Sequence, residues 1–171
     1  MTTDFRTYNV LFVSQRNAAR SILAEALLNR LGAGRFEAWS AGYRPAAAIS
    51  PHALSLLGRI GYNTGRLSTK ALTAVTGDQD PGFDFIIRLS PERRSAARQP
   101  VFKGKPTIID WPLDDPRGGG VAAAGSAHAT LFSTLAGRIE RFANLSDAAL
   151  MGGDIHARLE RMAWDNLKLA S

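Results

Sequence analysis

The chain has 171 residues, 45% of them hydrophobic and 21% charged; this is one domain, 1–171, with a real core, and neither a disordered nor a membrane-embedded composition. It contains no cysteine, which excludes a disulfide scaffold, a thiolate metal site and thiol chemistry. The net charge is +6 and the basic residues are mostly arginine, since only Lys70, Lys103, Lys105 and Lys168 are lysines. Such a surface favours an anionic partner. Nothing resembles a zinc finger, an aromatic RNA-binding motif or a basic tail, so nucleic acid is disfavoured against a phosphorylated ligand or an acidic protein. No apolar run approaches a bilayer span, so no membrane partner is expected. Met1-Thr2-Thr3-Asp4-Phe5-Arg6 has no basic stretch leading into an apolar one, and a cytoplasmic protein is expected.

Tyr8 to Val13 is a short apolar run that reads as a strand and stops at polar Ser14-Gln15-Arg16-Asn17. From about Ala19 to Leu31 the apolar residues Ile22, Leu23, Ala26, Leu27 and Leu31 recur at helical spacing, with Glu25, Asn29 and Arg30 off the stripe; Gly32 and Gly34 end the helix. Arg35–Ser40 alternates as a second strand, closed by Gly42. Ser50-Pro51 predicts a helix start with Ser50 as N-cap, carrying Ala53, Leu54, Leu57 and Ile60 inward. Ser68–Val75 reads as a short helical turn, Phe83–Leu89 as a third strand, Ser90-Pro91-Glu92 as another helix start, and Pro106–Trp111 as a fourth strand. Leu113 to Gly120 is a loop by composition. A long helix is expected over about Ser126–Leu145, with Leu131, Leu135, Ile139 and Phe142 inward. A further helical segment begins at Ser146-Asp147, is interrupted by Gly152-Gly153, and has an apolar edge of Ile155, Leu159, Met162 and Leu167.

Strands alternating with helices predict an α/β fold with a parallel sheet flanked by helices on both faces. Ligands in such folds sit beyond the C-terminal strand ends. The segment Ser14 to Ser21, between strand and helix, has the make-up of an anion cradle: successive amides at a helix N-terminus, and Arg20 able to grip two oxyanion oxygens with its planar fork. A plain turn with surface arginines is the competing reading.

The run Val10 to Ala26 resembles the phosphate loop of low-molecular-weight protein tyrosine phosphatases, closest to their arsenate-reductase-like branch. The resemblance extends through Ser40-Ala41-Gly42, Ser68-Thr69-Lys70, Asp84-Phe85-Ile86-Ile87 and Trp111-Pro112-Leu113-Asp114-Asp115-Pro116, over about residues 8–145. It implies a four-stranded parallel sheet flanked by helices and no cofactor or metal. It implies an oxyanion site for phosphate, arsenate or a phosphorylated ligand, formed by Ser14, Gln15, Arg16, Asn17, Ala18, Ala19 and Arg20. Arg20 matches the oxyanion-binding arginine, and Asn17 and Ser21 the residues that brace the loop and its nucleophile. Asp115 matches the general acid, with Asp114 the competing candidate.

Three departures qualify that resemblance. Ser14 stands at the nucleophile's place, where the family has cysteine. The loop dipole that ionises a thiol cannot ionise a serine hydroxyl, which needs an adjacent base. None of His52, His128 or His156 lies in a loop expected to serve. Phosphatase turnover is therefore expected to be impaired or absent, leaving a pseudo-enzyme, with residual phosphomonoester hydrolysis as the enzyme alternative. Arsenate reduction through a cysteine relay is excluded, and Ser90 occupies a relay position. Arg16 replaces the usual glycine and either distorts the cradle or adds a second cation. The helical extension over about 146–171 is either a packing element or an interface for a protein partner or homodimer. A regulatory or scaffold protein acting through its basic surface, with Arg93, Arg94 and Arg98 as candidates, is the remaining alternative.

Overall fold

A computed structural model describes residues 6–91 and 100–164 of the chain. Strands β1 (Tyr8–Ser14), β2 (Phe36–Gly42), β3 (Phe85–Arg88) and β4 (Thr107–Asp110) form one sheet in the order β2-β1-β3-β4. All its pairings are parallel, with Val10 opposite Ala38 on one side and Phe85 on the other. The chain leaves β1 towards β2 and later returns to the opposite flank, so connections diverge at the C-terminal end of β1, where a crevice opens in such sheets. Ser14 ends β1 at that point.

Side chains alternate across the pleat and divide the core. Tyr8, Val10, Phe12, Phe85 and Ile87 face a large cluster with helices α1 (Arg20–Leu31), α2 (Pro51–Arg59), α3 (Gly120–Ala143) and α5 (Ile155–Met162). Leu11, Val13 and Ile86 face a smaller cluster with Leu72, Val75 and Phe83. Leu72 and Val75 come from a 3-10 turn, Leu72–Val75, the observed form of the turn expected over 68–75. The helix start expected at Ser90-Pro91 and the arginines Arg93, Arg94 and Arg98 fall on residues 92–99, outside the described residues.

Helix α1 departs from the single-stripe expectation. Arg20 through Leu28 are all buried, including Glu25, while Leu31 of the expected stripe is 45% exposed. The helix lies between the sheet and α3, so neighbours cover it on more than one side and periodicity understates its burial. Helix α3 starts at Gly120, six residues before the expected Ser126. Gly118, Gly119 and Gly120 all have positive φ, so the glycine run turns the chain directly into the helix.

The C-terminal extension forms α4 (Asp147–Leu150) and α5, and its apolar edge is internal. Leu150, Ile155, Leu159 and Met162 belong to the main core. The indole Nε1 of fully buried Trp111 donates to the Leu159 carbonyl at 2.7 Å, and Arg138 Nη2 donates to the Ala163 carbonyl at 2.7 Å. These residues therefore pack as a structural element; Leu167 lies outside the described residues. Among the described residues no helix is long and apolar enough to cross a membrane.

Candidate active site

The loop from Ser14 to Ala19 joins β1 to α1, and its backbone is held from one side. The amides of Tyr43, Arg44, Ala46 and Ser50 donate to the carbonyls of Ser14, Gln15, Arg16 and Ala18, at 2.8–3.3 Å. With the carbonyls taken by the 43–50 segment, the amides of Arg16, Ala18 and Ala19 have no hydrogen-bond partner among the described residues. Helix α1 begins without a side-chain cap, so its dipole end also stays open. Two amides expected in the cradle are used internally: Gln15 N–H donates to Ser90 Oγ at 2.7 Å and Asn17 N–H to Ser14 Oγ at 3.2 Å. Ser90 thus lies against the loop.

Asn17 adopts φ 50°, the only positive φ among described non-glycine residues. Its side chain shows what stabilises that conformation. Nδ2 donates to Ser21 Oγ at 2.8 Å and Ser40 Oγ at 2.9 Å, and Oδ1 accepts from Lys70 N–H at 2.9 Å. One buried amide thereby ties the loop to α1, β2 and the segment after α2. Arg16, replacing the usual glycine, carries no positive φ, so its side chain imposes no left-handed strain there. Gly42 is different. A Cβ there would lie 2.9 Å from Asn17 Cβ, so the loop packs directly on the β2 backbone.

Near the loop the buried Glu25 carboxyl and the half-buried Lys70 ammonium influence each other electrostatically. Lys70 Nζ donates to the carbonyls of Ser40 at 2.9 Å and Ser68 at 3.0 Å. Burial raises the Glu25 carboxyl, and the net value is about 7 even though Lys70 and contacts with the Ser40 amide and hydroxyl lower it. Burial lowers the Lys70 ammonium, and Glu25 raises it. No sequence signal marks Glu25, because its helical position reads as solvent-facing.

Arg20, 3% exposed, donates from Nη1 to the Leu113 carbonyl at 2.9 Å and faces Asp115 across 3.6 Å. Asp115 also accepts from Arg117 Nε at 2.9 Å. Of the competing pair, Asp115 lines the cavity over the loop while Asp114 is exposed. Ser14 Oγ is buried, 2.7 Å from Ser21 Oγ. Its hydrogen-bond partners are that hydroxyl and the Asn17 amide, so no base touches it.

The cavity above the loop holds about 400 Å³ and brings together Ser14, Arg16, Arg20 and Asp115 with His52 and His128. His52 and His128 thus line the cavity, although neither hydrogen-bonds Ser14. His52 and His128 stack at 4.8 Å between ring centres, and His128 Nε2 meets the Ser50 hydroxyl at 2.9 Å. Ser50 keeps its N-cap position, but its side chain does not cap α2. The contact joins residues 78 apart in sequence and left no local signal. His156 lies elsewhere, exposed beside Glu160.

The family model of the low molecular weight phosphotyrosine protein phosphatases matches residues 9–141. The chain belongs to that family. Among its relatives, the glutaredoxin arsenate reductase of Synechocystis sp. is 26% identical over 137 residues, covering 80% of this chain and 94% of that protein. A thioredoxin-dependent arsenate reductase of Corynebacterium glutamicum is 28% identical with TM-score 0.61, covering 82% of this chain and 62% of that one. The arsenate reductase of Archaeoglobus fulgidus shares the fold at TM-score 0.62 and 24% identity, covering 80% of this chain and 99% of that one. All three relatives are arsenate reductases, whereas this low-molecular-weight phosphatase family member has no cysteine at any position.

Proposed function

We propose that this family member binds a phosphate, arsenate or phosphoryl group in the loop 14–20 and that Ser14 does not act as its nucleophile. The observation that carries the reading is the set of unpartnered amides at Arg16, Ala18 and Ala19, beside the buried Arg20 in one cavity. Convergent amides, a helix N-terminus and a guanidinium together favour a tetrahedral oxyanion. Arg16 lines the same cavity and fits the role of a second cation. We assign the leaving-group acid to Asp115, which faces Arg20 and Arg117.

Ser14 Oγ accepts from the Asn17 amide and hydrogen-bonds the Ser21 hydroxyl, and neither partner is a base to take its proton. Thiol-dependent phosphatase turnover and thiol-relay arsenate reduction both need a residue type that the sequence lacks. The test is the melting temperature against rising phosphate, with vanadate alongside, for the native chain and Arg20→Ala. At a hundredfold excess over Kd, binding to the native state adds about 2.7 kcal/mol. A saturable rise that Arg20→Ala removes supports the reading. A flat response in the native chain refutes it.

A further inference from the structure

The cavity contains a serine whose hydroxyl is in contact with a base, and it is Ser50. His128 is 3% exposed, and its Nδ1 lies 2.6 Å from the Ala124 carbonyl. A carbonyl only accepts, so Nδ1 carries the proton, and in the neutral ring Nε2 accepts from Ser50 Oγ at 2.9 Å. A hydroxyl donating to an imidazole that a second group orients is the arrangement of an activated nucleophile. Ser50 is also fixed to the phosphate loop, because its amide donates to the Ala18 carbonyl at 2.9 Å. The hydroxyl forgoes the cap of its own helix, so the first-turn amides of α2 lack a side-chain partner, and their dipole favours a developing oxyanion.

We propose that Ser50 and His128 form a nucleophile–base pair acting on acyl phosphates, mixed anhydrides of a carboxylic and a phosphoric acid. This rests on the oxyanion reading of the loop. The phosphate end occupies the cradle with its bridging oxygen towards the cavity, and the next atom outward is the carbonyl carbon. Around it the cavity is lined by Ala48, Ile49, Pro51, Pro116 and Ala124, apolar walls suited to an acyl group. Ser50 Oγ bonds to the carbonyl carbon, and the bond from that carbon to the phosphate oxygen breaks. The serine proton passes to His128 Nε2 and then to the departing phosphate, which the loop amides and Arg20 stabilise. Water then attacks the acyl-Ser50 ester with His128 as base, releasing the carboxylate and restoring the serine. No thiol is needed, and Ser14 serves as loop structure.

The experiment uses acetyl phosphate with the full chain. It measures phosphate release and, after acid quenching, the site of any acetyl ester by peptide mass spectrometry. Phosphate-dependent melting is measured in parallel. The expected result is an acetyl ester on Ser50, with release falling on the order of 100-fold in Ser50→Ala. Ser50 is half-buried, and retention of the phosphate-induced rise in melting temperature by Ser50→Ala shows that the variant is folded. His128→Gln is expected to abolish the adduct as well. A phosphate-induced rise without an adduct on Ser50 overturns this proposal and leaves the oxyanion reading standing. An adduct at Ser14, or release unchanged in Ser50→Ala, also overturns it. Absence of any phosphate-induced rise in the native chain removes the oxyanion reading and the anchoring that this proposal needs.

Discussion

Glu25 is a carboxyl whose environment makes stability depend on pH in a direction opposite to the usual acid behaviour. Its folded-state value is raised from 4.5 to about 7, chiefly by burial. The unfolded chain therefore ionises Glu25 first. The contribution of Glu25 to stability is greatest below about pH 4.5, declines as pH rises through the interval to about 7, and is flat above it. At about 1.4 kcal/mol per pH unit, the full decline is about 3 kcal/mol. For a chain of this size that corresponds to a melting temperature lower by about 6–12 °C. Glu25→Gln keeps the shape and cannot ionise, so its stability lacks this slope. The native and variant proteins are expected to match near pH 4 and to separate by up to about 3 kcal/mol by pH 8, in favour of the variant. Loss of the attraction to Lys70 works against that gain. Urea denaturation at several pH values, read as the difference between the two proteins, cancels groups common to both. A difference that does not change between pH 4 and 8 refutes the reasoning.

Ser14→Cys is expected to yield a thiol that alkylates with iodoacetamide at neutral pH, because Ser21, the Asn17 amide and the uncapped α1 terminus all favour a thiolate. Measurable hydrolysis of p-nitrophenyl phosphate is expected to accompany it, and inertness in both assays refutes this account of the loop. Gly42→Ala places a Cβ 2.9 Å from Asn17 Cβ; about 1–3 kcal/mol of stability is expected to be lost, together with phosphate-induced stabilisation, in thermal melts. Trp111→Phe removes the bond to the Leu159 carbonyl and is expected to cost about 1–3 kcal/mol in urea denaturation. The cost arises because a buried carbonyl loses its donor.

The strand–loop–helix opening was legible because an apolar run stops abruptly at polar residues, and the spacing from Ser14 to Arg20 carries the family signature. Helix α3 began earlier than expected because Val121 to Ala124 follow a glycine run without a capping residue, which reads as loop. Glu25 shows the limit of periodicity: over Arg20–Leu28 the helix is covered on more than one side, and no solvent-facing position remains there to detect. The pairing of Ser50 with His128 was invisible for another reason. The sequence marks Ser50 as a helix cap, which is its backbone position, while its hydroxyl bonds a residue on a distant helix.

The carbonyls of the loop between β1 and α1 are already occupied by the 43–50 segment, and Asn17 is already bonded on three sides. A ligand therefore meets a surface whose shape does not depend on its arrival. Little conformational entropy remains to be lost on binding, so affinity reflects the contacts themselves. Association of phosphate is then expected in a single kinetic phase whose rate is linear in ligand concentration, without the saturation that a closing loop imposes.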